Sequence, residues 1–431
     1  MTLSWASIFR LGLVQLCLGA IVVLTTSTLN RLMVVEFAMP AVLPGLLVGL
    51  HYAIQITRPT WGYKSDTGGN RTRFIILGMA ALALGAFLAA AGMLLLTTSF
   101  ALGLALSILA YGLIGIGVGA SGTSLLALLA TTTHPRRRAA AATITWLMMI
   151  FGIAVTAVIV GKLLDPYSPN LLLKLVGGVG CIAVAVTTAA IWGIERRYGG
   201  AVQPKTEALP FFQGLAEIWS ERRARNFTIF IFLSMVAYFM QELILEPYAG
   251  LAFNYTPGQS TQLSGAQNGG VFVGMLLVGL AATGLRIGGL RAWVMAGCAG
   301  SALSLLAIAM AGQMALDGQI LLVSTVSLGF FNGMFAVAAI GSMMALAGEG
   351  RGEREGTRMG LWGASQAIAA GFGGLLGAAA VDAVRQITDA ATAFGLVFTA
   401  EAALFAVATI MAAQIIEARP RAVDGNLVPG E

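Results

Sequence analysis

The sequence predicts an all-α polytopic membrane protein folded as two six-helix halves. Three observations carry that reading. Charged residues make up 10% of the 431-residue chain and hydrophobic ones 58%, whereas a soluble protein carries roughly 25% charged residues to solvate its surface. Apolar runs long enough to cross a bilayer recur along the whole chain. The basic residues fall almost entirely on alternate connections between those runs, the pattern that sets topology.

A hydrocarbon core of about 30 Å needs about 20 apolar helical residues. Such runs lie at 11–30, 41–60, 74–96, 100–128, 141–162, 171–194, 227–247, 268–284, 292–312, 319–347, 359–381 and 393–416. The first run has no removable signal pattern and is read as a span. With the N-terminus in the cytoplasm, 21 of the 25 Lys and Arg residues fall on the cytoplasmic side, leaving Arg31, Lys162, Lys174 and Arg385 opposite. Both termini are then cytoplasmic. The net charge of +6 follows from topology, and no nucleic-acid surface is expected.

The longest connection separates spans six and seven. It divides the chain into an N-terminal half (1–195), a cytoplasmic linker (196–226), a C-terminal half (227–418) and a short cytoplasmic tail (419–431). Within the linker, "LPFFQGLAEIW" spaces its apolar residues as a helix lying in the membrane interface would, or one packed under the bundle. The halves carry a faint repeat. "LNRLMVVEFAMPA" from Leu29 and "LEPYAGLAFNYTP" from Leu245 align without gaps, with Phe37 opposite Phe253. Two homologous six-helix halves are the construction of the major facilitator fold. The loop "WGYKSDTGGNRTR" agrees: Gly62, Asp66, Gly69, Arg71 and Arg73 resemble the loop-2/3 motif of that superfamily, with Thr67 departing from it.

No catalytic constellation is present: no phosphate-binding glycine loop, no HExxH, no Ser or Cys beside a plausible base. The protein is expected not to be an enzyme. Cys17, Cys181 and Cys298 lie far apart inside apolar runs and read as packing residues. His134, beside three arginines, reads as a surface residue, and no metal site is expected. In a major facilitator, spans 1, 4, 7 and 10 line the central cavity. Span four carries no charged residue and span ten only a few neutral polar ones, including Asn332. The cavity is expected to be nearly uncharged, which argues against coupled transport of a polar solute. The GxxxG pairs Gly115/Gly119 and Gly373/Gly377 read as close helix contacts.

The stretch "QELILEPYAGLAFNYTPGQSTQLS" (241–264) is read as the exit of span seven at Pro247 followed by a polar loop. Glu242 and Glu246, four apart, share a helix face. Asn30 and Arg31 end the equivalent span one. The expectation is an inter-half polar cluster of Asn30, Arg31, Glu36, Glu242, Glu246 and Tyr248, with Arg31 in ion-pair reach of Glu242 or Glu246. Other intramembrane polar candidates are Gln55, on the face of His51 and Arg58, Gln366, and Glu401, for which a hydrogen bond to a neighbouring helix is expected.

The segments "TLNRLMVVEFAMP", "GYKSD", "TITWLMMIFGIAVTAVIVGKLL", "MQELILEPYAG" and "GLWGASQAIAAGFGG" resemble the PucC, or bacteriochlorophyll-delivery, family of light-harvesting complex assembly proteins. Ala249 stands where that family's pattern leads one to expect Gly. The resemblance implies a multi-pass protein of the bacterial cytoplasmic or intracytoplasmic photosynthetic membrane. It also implies help in assembling antenna complexes, by delivering bacteriochlorophyll to antenna transmembrane polypeptides or by chaperoning them. Expected partners are membrane lipids, antenna polypeptides, and pigment-synthesis enzymes or the reaction centre complex. In that setting His51 becomes a candidate axial ligand for pigment, set against the ordinary reading of a hydrogen-bonded intramembrane histidine. The alternative is a major facilitator moving a small apolar or zwitterionic solute.

Overall fold

The computed structural model describes residues 3–58, 61, 70–134, 138–198, 219–284, 287–348 and 355–416. Among them there is no strand, and twelve helices carry the architecture. In chain order these are α1 (Trp5–Glu36), α2 (Val42–Ile54), α3 (Arg71–Leu95), α4 (Phe100–Thr132), α5 (Arg138–Leu163) and α6 (Pro169–Ile191). The second half repeats the series as α7 (Arg222–Phe253), α8 (Pro257–Val278), α9 (Leu290–Gln313), α10 (Gly318–Gly348), α11 (Glu355–Arg385) and α12 (Ala390–Ile415). Among the described residues, eleven segments are long and apolar enough to cross a membrane; α2, with 13 residues, is shorter and continues as a 3-10 turn over Gln55–Thr57.

Three helix ends differ from the sequence expectation, each for a local reason. Helix α1 runs past residue 30 to Glu36 through two π turns, Leu24–Thr28 and Leu32–Glu36. Nothing in "RLMVVEF" stops a helix before Pro40. Helix α7 does not end at Pro247; it carries the proline inside and closes at Asn254, whose φ of 57° supplies a left-handed cap. Helix α8 begins at Pro257, so the polar stretch read as a loop is helical. Thr256 and Gln259 form a reciprocal capping box with proline in the first turn, a start signal that the polarity of "TPGQSTQLS" had masked.

Each half has its own core. One apolar cluster joins α1 to α6, around Leu11, Met79, Ile114 and Leu172; the other joins α7 to α12, around Phe230, Phe335, Phe398 and Phe405. Lipid tails are as apolar as these side chains, so cohesion comes from close packing and hydrogen bonds rather than water release. The second GxxxG pair does this between α11 and α7. A Cβ on Gly373 would sit 2.7 Å from the Val236 carbonyl oxygen, and one on Gly377 2.8 Å from that of Met240. The halves meet along three lines: α5 on α8, α2 on α11, and α1 on α7. Most of the linker stretch "LPFFQGLAEIW", together with Gly62, Asp66 and Gly69 of the loop motif, lies outside the described residues.

Candidate functional site

The polar residues gather on the α1–α7 line. Pro247 has no N–H, so the carbonyl of Leu243, four residues back, has no helical donor. Asn30 supplies one from the other half: its Nδ2 donates to the Leu243 oxygen at 2.6 Å. Nearby, Thr28 Oγ1 and Thr261 Oγ1 lie 3.3 Å apart, and Thr261 Oγ1 donates to Glu246 Oε2 at 3.4 Å. Glu242 faces Thr26 of α1 and Tyr52 of α2.

Arg31 crosses the seam differently from expectation. Its ion pair is with Glu36 of its own helix, Nη1 to Oε1 at 2.5 Å, and not with Glu242 or Glu246. The π turn over Leu32–Glu36 places residue 36 over residue 31, five positions on, where an ordinary α turn aligns three or four. The inter-half bond of Arg31 runs from Nη2 to the Tyr255 carbonyl at 2.6 Å. Glu246 is 1% exposed and lies within the field of Arg31. Arg31 and Glu246 are both buried on this line. Asn30 Oδ1, Arg31 Nε, Gln241 Oε1 and Glu246 Oε1 are buried with no hydrogen-bond partner among the described residues.

Tyr248 does not belong to the inter-half cluster. Its hydroxyl donates to the Ile308 carbonyl of α9 at 2.7 Å, and its ring packs on Phe394 and Phe398 of α12. It serves the C-terminal half alone. So does Asn332, which accepts from Ser301 of α9 at 2.7 Å. Gln366 makes a sulfur contact to Met235 at 3.8 Å. Glu401 is fully buried, and neither of its oxygens has a partner among the described residues, so the expected bond to a neighbouring helix is not seen there.

On α2, His51, Gln55 and Arg58 form a relay rather than a stripe. An Arg58 Nη2 proton goes to Gln55 Oε1, which fixes the amide so that Gln55 Nε2 donates to His51 Nε2 at 2.9 Å. The imidazole must then carry its proton on Nδ1, which is buried and unpartnered. Neither ring nitrogen offers a lone pair to a metal in this arrangement. Among the described residues, no cluster of three or more His, Cys, Asp or Glu side chains is placed to hold a metal ion.

Sequence reasoning missed Thr28, Thr261, Asp165 and Asp382. The last two join the halves at their non-cytoplasmic ends and were not singled out in the sequence. Their main-chain partners in the opposite half, the N–H groups of Gly258, Ala41 and Val42, leave no trace in composition.

The paired six-helix halves and the seam between them define a major-facilitator-type membrane protein. Solved structures agree: a bacterial homologue of the human drug peptide transporters PepT1 and PepT2 superposes with a TM-score of 0.69, over 95% of this chain and 97% of its own, at 15% identity. A bacterial homologue of the lysosomal transporter Spinster, solved inward-facing, gives 0.69 over 95% and 97%, at 14% identity. Within that class the chain belongs to the PUCC protein family, whose model matches residues 28–419. The bacteriochlorophyll synthase 44.5 kDa chain of Rhodobacter capsulatus is 65% identical over the full length of both chains. Protein PucC of Cereibacter sphaeroides is 30% identical over 84% of this chain and 81% of its own.

Proposed function

We propose that this protein is a non-enzymatic accessory factor of a bacterial photosynthetic membrane. It helps assemble light-harvesting antenna complexes, by delivering bacteriochlorophyll to antenna transmembrane subunits or by chaperoning them. The observation that carries the reading is family membership over residues 28–419, together with a full-length relative whose name refers to bacteriochlorophyll. That name also contains the word synthase. The sequence offers no nucleophile–base or cofactor constellation to support such chemistry, so pigment handling, rather than pigment synthesis, is the reading taken here. A second reading, a facilitator of a small apolar or zwitterionic solute, is favoured by the fold shared with peptide transporters. Deletion separates them. Loss of antenna absorption with solute uptake intact supports the assembly role. Unchanged antenna absorption, or purification in mild detergent from a pigmented host with neither pigment nor antenna polypeptide attached, refutes it.

A further inference from the structure

Two aspartates perform the same act in opposite directions. Asp165, just beyond the end of α5, accepts from Thr256 Oγ1 at 2.6 Å and from the Gly258 N–H at 3.1 Å, both at the start of α8. Asp382, in the last turn of α11, accepts from the Ala41 and Val42 N–H groups at 2.9 and 2.7 Å, at the start of α2. Helices α5 and α11 are the fifth of their halves, and α2 and α8 the second. Each half's fifth helix therefore caps the other half's second, as the pseudo-twofold between the halves requires.

The chemistry is that of an N-cap delivered in trans. The first N–H groups of a helix have no internal partner and carry partial positive charge, so a carboxylate placed there makes charge-assisted bonds. Helix α2 depends on this, because its own N-cap residue, Ala41, has no side-chain oxygen to offer. At the other site Gly258 is required by the approach itself: a Cβ there would lie 2.3 Å from Asp165 Oδ2. Both aspartates are half-buried. When the helices part, water can take over the carboxylates and the N–H groups together, with no polar group left orphaned in lipid. The Asn30 bond to Leu243, by contrast, is fully buried.

We propose that Asp165 and Asp382 form a twofold-related latch that holds the non-cytoplasmic mouth between the halves shut, and that releasing it lets the two halves separate on that side. The latch follows from geometry alone and holds whatever cargo the protein handles.

The test uses the full chain in lipid nanodiscs, with Cys17, Cys181 and Cys298 replaced by alanine and spin labels at K174C and Q319C. These are exposed positions at the non-cytoplasmic ends of α6 and α10. Double electron–electron resonance of the parent is expected to show a single distance population. Asp165→Ala/Asp382→Ala should add or shift to a longer-distance population, and Asp165→Asn/Asp382→Asn, which keeps an acceptor oxygen but loses the charge, should fall between. A folded alanine pair with the parent's distribution overturns the latch. If the alanine pair does not fold, the asparagine pair decides. A longer-distance shoulder supports the latch, and an unchanged distribution reduces both aspartates to static caps.

Discussion

Asn30 and Leu243 belong to different halves, yet the side chain of one completes the backbone of the other: Asn30 Nδ2 donates at 2.6 Å to the carbonyl that Pro247 leaves without a helical donor. A proline inside a membrane helix is tolerated where a neighbour satisfies the freed carbonyl. Here the neighbour is fixed by sequence in the repeat position of the first span.

This pairing predicts a coupled pair of substitutions. Asn30→Leu should cost about 1 kcal/mol, the scale of an interhelical hydrogen bond in lipid. In a Pro247→Ala background the restored N–H fills the carbonyl, and Asn30→Leu should become nearly neutral. Equilibrium unfolding of the four proteins in detergent micelles measures the coupling. Additive losses would show that Asn30 does not serve the Leu243 carbonyl.

A second cycle concerns Gly312 and Tyr248. A Cβ on Gly312 would lie 2.1 Å from the Tyr248 hydroxyl oxygen, which donates to Ile308. Gly312→Ala should therefore destabilise by about 1–3 kcal/mol through overpacking and loss of that bond. Tyr248→Phe, which removes the crowded oxygen, should recover part of the loss in the double variant. Thermal unfolding of the two singles and the double checks it, and no recovery in the double would refute the contact.

The Arg31–Glu36 pair is asymmetric, and its variants should be too. The Glu36 side chain is 36% exposed and the Arg31 side chain 2%. Glu36→Gln keeps a side-chain oxygen that can accept from Arg31 Nη1 and leaves the Arg31 bond to Tyr255 in place, so it should cost no more than about 1 kcal/mol. Arg31→Gln also removes the bond to Tyr255 and the positive charge near buried Glu246, so its cost should approach the roughly 3–5 kcal/mol of breaking a buried pair. Equal losses would mean that Arg31 acts only through Glu36. Midpoints of denaturant unfolding compare them directly.

The span pattern, the two-half division and the close packing of Gly373 and Gly377 were all legible in the sequence, because each rests on composition or on a fixed helical spacing. The ends of α1 and α8 were not. A π turn has no compositional mark, and a capping box inside a polar stretch reads as a loop until the helix is seen. The seam was legible in part. Asn30, Arg31 and Glu246 were identified as inter-half residues, but the partner of Arg31 was not, since a five-residue offset within one helix falls outside ordinary α spacing. Tyr248 was drawn into the seam by proximity in sequence, while its helix face turns it toward α9 and α12. Backbone acceptors such as Leu243 and Tyr255 cannot be read from residue type.

With Arg58 fixing the Gln55 amide, His51 Nε2 accepts from Gln55 Nε2, and its lone pair is committed to that structural hydrogen bond. If the protein carries bacteriochlorophyll, His51→Leu should lower thermal stability by about 1–2 kcal/mol through loss of a buried hydrogen bond. It should leave the pigment-to-protein ratio and the long-wavelength absorption band of the purified protein unchanged. Gln55→Leu frees Nε2 and removes the constraint on the tautomer, so any pigment gained by that variant and lost again in His51→Leu/Gln55→Leu would mark His51 as a ligand that Gln55 holds in reserve. Loss of pigment in His51→Leu alone, at unchanged stability, would instead make the imidazole a ligand in the native protein and overturn the relay as drawn.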